Sequence, residues 1–153
     1  MKLLLDTTYL LPAIGVSVKE LPKDAPIKLI SKGHQISISD ISIFELSAKG
    51  AKHITAGTLL AERVTKGVRA IIYDERIEII PISDSKLLIT SFKLRSIFND
   101  FIDCLILSTA LNHCEALITE DNEIQNLKKN KEFNKFLATT NPKFRIQKLS
   151  EIL

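Results

Sequence analysis

Lys2-Leu3-Leu4-Leu5-Asp6-Thr7-Thr8 decides the fold class of this chain. Three consecutive leucines leave no polar face. A strand built from them must be covered on both sides, as strands of parallel sheets are. The run stops at an acid, Asp6, followed by two small hydroxyl residues. A second run of this kind, Glu115 to Thr119, stops just before Asp121. Further out, Gln35 to Ser39 alternates like a strand, and Arg76 to Ile82 and Phe144 to Lys148 add two more. Helical spacers lie between them. Thr7 to Val16 reads as a helix with Pro12 near its first turn, and Lys19 to Pro26 as a loop. Ile27 to Gly33 reads as a short helix stopped by Gly33. Ser39 or Asp40 caps a helix carrying Ile43, Leu46 and Ala51. Thr55 to Glu75 is the longest helical candidate, with Leu59, Leu60, Val64, Val68, Ile71 and Ile72 near a 3.6-residue period. Asp84 to Ile97, Asp100 to Cys114 and a polar segment Asn122 to Phe133 complete the series. Strands alternating with helices predict an α/β domain with a mostly parallel sheet and helices on both faces.

Length and composition fit one domain over residues 1–153. Hydrophobic residues make up 45% of the 153, enough for a packed core. The net charge of +3 permits a polyanionic partner without demanding one. Charge interrupts every apolar run before the ~20 residues a membrane helix needs. No leader-like apolar region follows Met1-Lys2, so the expected compartment is the cytoplasm. Cys104 and Cys114 fall in one predicted helix. Their separation there is about 15 Å of rise, too far for a disulfide, and both read as buried apolar residues.

Four acids draw attention by position. Asp6 and Asp121 follow strands, so a parallel sheet brings both to its carboxyl edge, where open α/β sheets bind ligands. Asp103 lies in the first turn of an apolar helix, and Glu45 sits among Ile43, Phe44 and Leu46. Carboxylates among aliphatic side chains are costly unless compensated, and several together raise one another's pKa. A hard divalent cation removes both costs, and Mg²⁺ or Mn²⁺ prefers oxygen ligands. Taken singly, each acid has a simpler reading. Asp6 can cap the next helix, Asp103 suits a helix N-terminus, and Glu45 can be half-exposed.

In their order, these pieces resemble the PIN-domain family, especially its VapC-type toxin ribonucleases. Leu4-Leu5-Asp6-Thr7-Thr8 resembles the opening strand. Ser37-Ile38-Ser39 through Phe44-Glu45-Leu46 resembles the second strand and its glutamate-bearing helix. Asp100-Phe101-Ile102-Asp103, followed by Cys104 to Ala110, resembles the Asp-x-x-Asp helix. Ala116 to Asp121 resembles the strand ending in Thr-x-Asp. The resemblance spans about residues 2 to 126, and Val18 to Pro26 matches no part of it. It implies a three-layer α/β/α sandwich and metal-dependent endonucleolytic RNA cleavage with Mg²⁺ or Mn²⁺. It also implies a catalytic and metal-binding quartet of Asp6, Glu45, Asp103 and Asp121. Thr8 and Thr119 match hydroxyl positions that orient Asp6 and Asp121, and Asp100 matches an additional acid. A homodimer and an antitoxin protein partner are implied in the same way.

RNA crossing an acidic pocket needs flanking cations. Lys49, Lys52, Arg63, Lys66 and Arg69 are the candidates, with Lys93 and Arg95 as another pair. Lys128, Lys129 and Lys131 read as a solvated face. With no Trp and two Tyr, recognition by stacking of single-stranded bases is weak. His34, His53 and His113 are scattered and make no zinc pattern. An RNA-processing nuclease, a catalytically silent RNA- or partner-binding domain, and a phosphoryl-transfer enzyme using Asp6 as nucleophile remain as alternatives. The last kind carries a second Asp two residues on, where this chain has Thr8. A small open reading frame directly upstream separates a toxin from a processing enzyme.

Overall fold

A computed structural model describes residues 1–153. Five strands, β1 (Lys2–Leu5), β2 (Gln35–Ser39), β3 (Ile77–Ile80), β4 (Ala116–Ile118) and β5 (Arg145–Gln147), form one sheet in the order β3-β2-β1-β4-β5. Every pairing is parallel. Leu4 stands opposite Ser37 on one side and Leu117 on the other. The chain winds outward from β1 through β2 to β3, then returns to β4 on the opposite side of β1. The winding therefore reverses between β1 and β4, and a crevice opens there at the carboxyl ends of the strands.

The strand period of two sorts the core into two layers. Leu4 and Leu117 join one apolar cluster, with Ile106, Leu107 and Phe133. Leu3, Leu5, Ala116 and Ile118 join the other, with Ile38, Leu46 and Val64. Leu3, Leu4 and Leu5 are fully buried, each worth about 1.5–3 kcal/mol by transfer from water. The sheet is thus the middle layer of an α/β/α sandwich, as the sequence predicts. One outer layer holds α1 (Ala25–Ser31), α2 (Asp40–Thr55) and α3 (Ala61–Ile72). The other holds α4 (Ser85–Leu94), α5 (Phe101–His113), α6 (Asn122–Asn126) and α7 (Lys131–Thr140). No helix is long and apolar enough to cross a membrane.

Three helical expectations need correction. Thr7 to Val16 is a 3-10 helix over Thr7–Ile14, with Pro12 inside it. The continuous helix expected from Thr55 to Glu75 does not exist, because Thr55 ends α2 and α3 starts at Ala61. Gly57 takes φ 77°, which an L side chain rarely adopts. The Thr58 N–H then closes the end of α2 on the His53 carbonyl at 2.9 Å. The apolar stripe through Leu59 and Leu60 hides this break. Third, the polar segment Asn122 to Phe133 is not one helix: α6 passes into a 3-10 turn over Leu127–Lys129, and α7 starts at Lys131. Asn130 leaves the helical region, and its side chain accepts from the Phe133 N–H at 2.9 Å, starting α7.

Packing also explains Gly67 on α3. A Cβ there would lie 2.2 Å from the Ala13 carbonyl oxygen, so α3 approaches the 3-10 helix only because this residue has none. Both cysteines are buried, Cys104 within α5 and Cys114 just beyond its end.

Candidate active site

Asp6 ends β1 at the crevice. Its own N–H continues the sheet to the Ile118 carbonyl at 3.1 Å, which fixes its backbone. One carboxylate oxygen accepts from the Thr7 N–H at 2.7 Å and the other from the Thr119 hydroxyl at 2.6 Å. Thr119 is fully buried at the end of β4. Its Oγ1 also accepts from the Asp121 N–H at 3.1 Å, so one hydroxyl joins the two strand ends. Asp121 is exposed and caps α6, its Oδ1 accepting from the Glu123 and Ile124 N–H groups at 2.8 and 3.1 Å. Its second oxygen makes no hydrogen bond within the chain. Asp100 caps α5 by accepting from the Asp103 N–H at 3.2 Å, so Asp103 is held in the first turn. Glu45 is half-buried on α2, and its side chain makes no hydrogen bond.

The simpler readings, Asp6 as a cap, Asp103 in a first helical turn and Glu45 half-exposed, are therefore true as far as they go, and Asp100 and Asp121 are caps as well. They do not account for the electrostatics. Burial pushes the Asp6 carboxyl above its ordinary range. The Thr119 and Thr7 hydrogen bonds oppose that rise, and the nearby charges of Glu45 and Asp121 add to it. Asp103 is pushed up to about 7, first by burial and then by Asp100, Asp6, Asp121 and Glu45. Glu45 and Asp121 thus bear on both Asp6 and Asp103, and Asp6 bears on Asp103. None of the four pairs with a basic side chain; the ion pairs of this chain lie elsewhere.

That donor set fits a hard cation, since it offers only carboxylate oxygens and no histidine or thiolate. The acids do not form a closed cage. No group of three His, Cys, Asp or Glu side chains is arranged to hold an ion. Mg²⁺ commonly binds through one or two carboxylates and retains several waters, so a closed cage is not required.

The remaining sequence candidates divide. Thr119 orients Asp6 directly and touches Asp121 only through its backbone N–H. Thr8 makes no hydrogen bond to Asp6; it is half-buried and faces an adjoining cavity. Lys49 is half-buried one turn beyond Glu45, while Lys52, Lys66 and Arg69 are exposed and unpaired. Arg63 is committed to structure, its guanidinium donating to the Ala13 and Pro12 carbonyls at 2.5 and 3.4 Å. Arg95 donates to Asn99 at 3.2 Å, just before Asp100, while Lys93 is exposed in the last turn of α4. Sequence reasoning passes over Glu120. Its Oε1 accepts from the Tyr9 hydroxyl at 2.8 Å and the Leu149 N–H at 3.0 Å, tying the 3-10 helix to the segment after β5. Both partners are distant in sequence, so no local spacing reveals this role.

The sheet reverses its winding at a crevice of the kind where open α/β sheets bind ligands, and unpaired acids lie beside it. The PIN domain model matches residues 3–130, and the chain belongs to the PIN domain family. Solved structures of similar fold include VapBC2 from Rickettsia felis bound to a promoter DNA fragment. That match is 20% identical, covers 97% of this chain and 98% of that chain, and has a TM-score of 0.61. DNA-bound VapBC from Salmonella typhimurium is 22% identical over 97% and 98% of the two chains, with a TM-score of 0.59. A toxin–antitoxin complex from Klebsiella pneumoniae is 24% identical over 78% and 87%, with a TM-score of 0.53. No curated protein sequence matches this chain.

Proposed function

We propose that the chain is a divalent-metal-dependent RNA endonuclease and the toxin of a toxin–antitoxin pair. Asp6, Glu45, Asp103 and Asp121 hold Mg²⁺ or Mn²⁺ and carry the reaction. The observation that carries this reading is Asp6 and Asp103 at the sheet's switch point, both raised by burial and by the neighbouring charges of Glu45 and Asp121, with no basic side chain paired to any of the four. When bound, the ion supplies Lewis acidity toward the scissile phosphate and acidifies water for attack. The chain's own groups do the positioning. Thr119 and the Thr7 N–H hold Asp6 in one orientation, and the α6 N–H groups engage one oxygen of Asp121, leaving the other without a partner in the chain. Asp100 fixes the backbone of Asp103. Lys49, Lys52, Lys66 and Arg69 serve as the flanking cations that draw in the RNA backbone.

The toxin assignment draws on the fold relatives, which include a toxin–antitoxin complex. Exposed apolar side chains also suit a protein partner. Phe92 and Phe101 stack with centroids 6.0 Å apart, and Phe44 and Ile89 stand open to solvent. An antitoxin and a second copy of the chain, in the cytoplasm, are the expected partners.

The test is cleavage of an end-labelled RNA by the full chain. We expect EDTA to abolish cleavage and millimolar Mg²⁺ or Mn²⁺ to restore it. Full activity in chelator overturns the reading.

A further inference from the structure

Beside the crevice lies a cavity of about 500 Å³. Thr8 and Glu120 line the side toward the acids, two residues after Asp6 and one before Asp121. The far side is the segment Val18 to Pro22, which the family resemblance leaves without a counterpart. Leu149 and Leu153 supply further apolar wall, and Lys148 enters from the end of β5. The outer wall is built rather than loose. Leu21 and Val16 pack on the second apolar cluster, and the Leu21 N–H donates to the Val18 carbonyl at 3.2 Å. Glu20, exposed, takes φ 67°, a conformation that persists in a non-glycine residue only where the surroundings impose it.

We propose that this cavity is a nucleotide subsite: it takes one RNA nucleotide flanking the cut and sets base preference there. The inference rests on the nuclease reading above. Three features fit that occupant. Lys19 and Lys148 line the cavity, and neither pairs with a carboxylate, so both ammonium groups are free to meet a phosphate. Val18, Leu21, Pro22 and Leu149 offer an aliphatic surface for the face of a base. Glu120 supplies the specificity. Its Oε1 is occupied by Tyr9 and Leu149, but Oε2 accepts nothing from the protein. A fixed carboxylate oxygen accepts from an amino-bearing base edge and repels the carbonyls that flank the one N–H of uracil. The subsite therefore takes guanine, cytosine or adenine in preference to uracil. The volume falls within the ordinary range for a small-ligand site.

The experiment uses the full chain with Mg²⁺ and a pool of randomised single-stranded RNA 20-mers, reading base frequency at each position around the cut. A fixed-sequence RNA gives KM, kcat and their salt dependence. Lys19→Ala and Lys148→Ala should each raise KM about tenfold and leave kcat within about twofold. Each should also reduce the slope of log kcat/KM against log salt by about 0.7, the value for one phosphate contact on a single strand. Glu120→Gln keeps an oxygen for Tyr9 and Leu149 but turns an amide N–H₂ toward the cavity. The bias against uracil at one position should then disappear or reverse, with the melting temperature unchanged. Lys19 is exposed, so its variant carries no risk to the fold and decides the lysine arm alone. Unchanged KM, salt slope and base frequency in variants of an active wild type overturn the subsite and leave the nuclease reading standing. A wild type that leaves the pool intact overturns both.

Discussion

The two edges of the sheet treat carboxylates in opposite ways. At the amino ends of the strands, Glu78 on β3 receives the Lys2 ammonium at 2.7 Å and the Ser37 hydroxyl at 3.0 Å. The Lys2 hydrogen bond is the main reason its carboxyl is held below the usual range. Glu115 at the same edge accepts from the Lys2 N–H at 2.7 Å. At the carboxyl ends, Asp6 and Asp103 are raised by burial and by other acids, and no lysine or arginine relieves them. One sheet therefore carries a charge-balanced edge and an edge deficient in positive charge. The first needs nothing further for stability. The second leaves its acids uncompensated within the chain, and protons or a cation would relieve them.

The largest effect that breaks this comparison comes from the acids themselves. Asp6→Asn and Asp121→Asn should each lower RNA cleavage by orders of magnitude, since the amide removes the charge that holds a hard cation. Asn caps helices about as well as Asp, so Asp121→Asn keeps its cap bonds, while Asp6→Asn keeps the bond from the Thr7 N–H and gives up the one from the Thr119 hydroxyl. Melting of the metal-free variants should stay level or rise, because each change removes a repelling charge. Near-normal cleavage by both variants would mean that the acids are only caps.

A smaller effect is expected at Thr119. Thr119→Val keeps the shape but removes the hydroxyl that donates to Asp6 and accepts from Asp121. The loss of a buried hydrogen bond should cost about 1–3 kcal/mol of stability. Misorienting a ligand should reduce metal affinity and cleavage about 10–100-fold. Thr119→Ser restores the hydroxyl and should recover most of both. A Val variant with normal Mn²⁺ dependence would remove Thr119 from the positioning role.

The legible part of this molecule is what apolar runs and their interruptions encode. Leu3 to Leu5 and Ala116 to Ile118 announce buried strands, and the acids that stop them mark the edge of the proposed site. Asp103 and Glu45 stand out as charges within apolar helical stretches. What stays hidden depends on contacts between distant segments. Arg63 reads as one more helix-face cation, yet the carbonyls of Pro12 and Ala13 engage it across the fold. Glu120 sits between two recognised positions, and only the packing of Tyr9 and Leu149 gives it a task. The break at Asn130 escapes notice because an asparagine in a polar run looks the same inside a helix as at its cap. Gly57 is hidden differently, since an apolar stripe continues past it.

The smallest expected effect is in pH dependence, and it sets the two edges directly against each other. Asp103 has a folded pKa near 7 against about 3.8 unfolded. Between those values the folded metal-free chain retains a proton that the unfolded chain has lost. Its contribution to stability is complete below the unfolded value and declines as pH rises toward 7. Glu78 has the opposite sign. Its folded pKa lies below the ordinary 4.5, so its contribution is present above that value and is lost as the pH falls through the folded pKa. With Glu78 more than half exposed, the Lys2–Glu78 pair is worth at most about 1 kcal/mol after solvent screening. Melting in EDTA should therefore fall from pH 5 to pH 7.5 in the wild type, and Asp103→Asn should flatten that decline. Glu78→Gln should leave this window unchanged and soften only the loss of stability below about pH 4.5. Saturating Mn²⁺ should raise the melting point most at pH 7.5, where the acids are most fully charged. A wild-type decline that persists undiminished in Asp103→Asn would place the pH sensitivity outside the acid cluster.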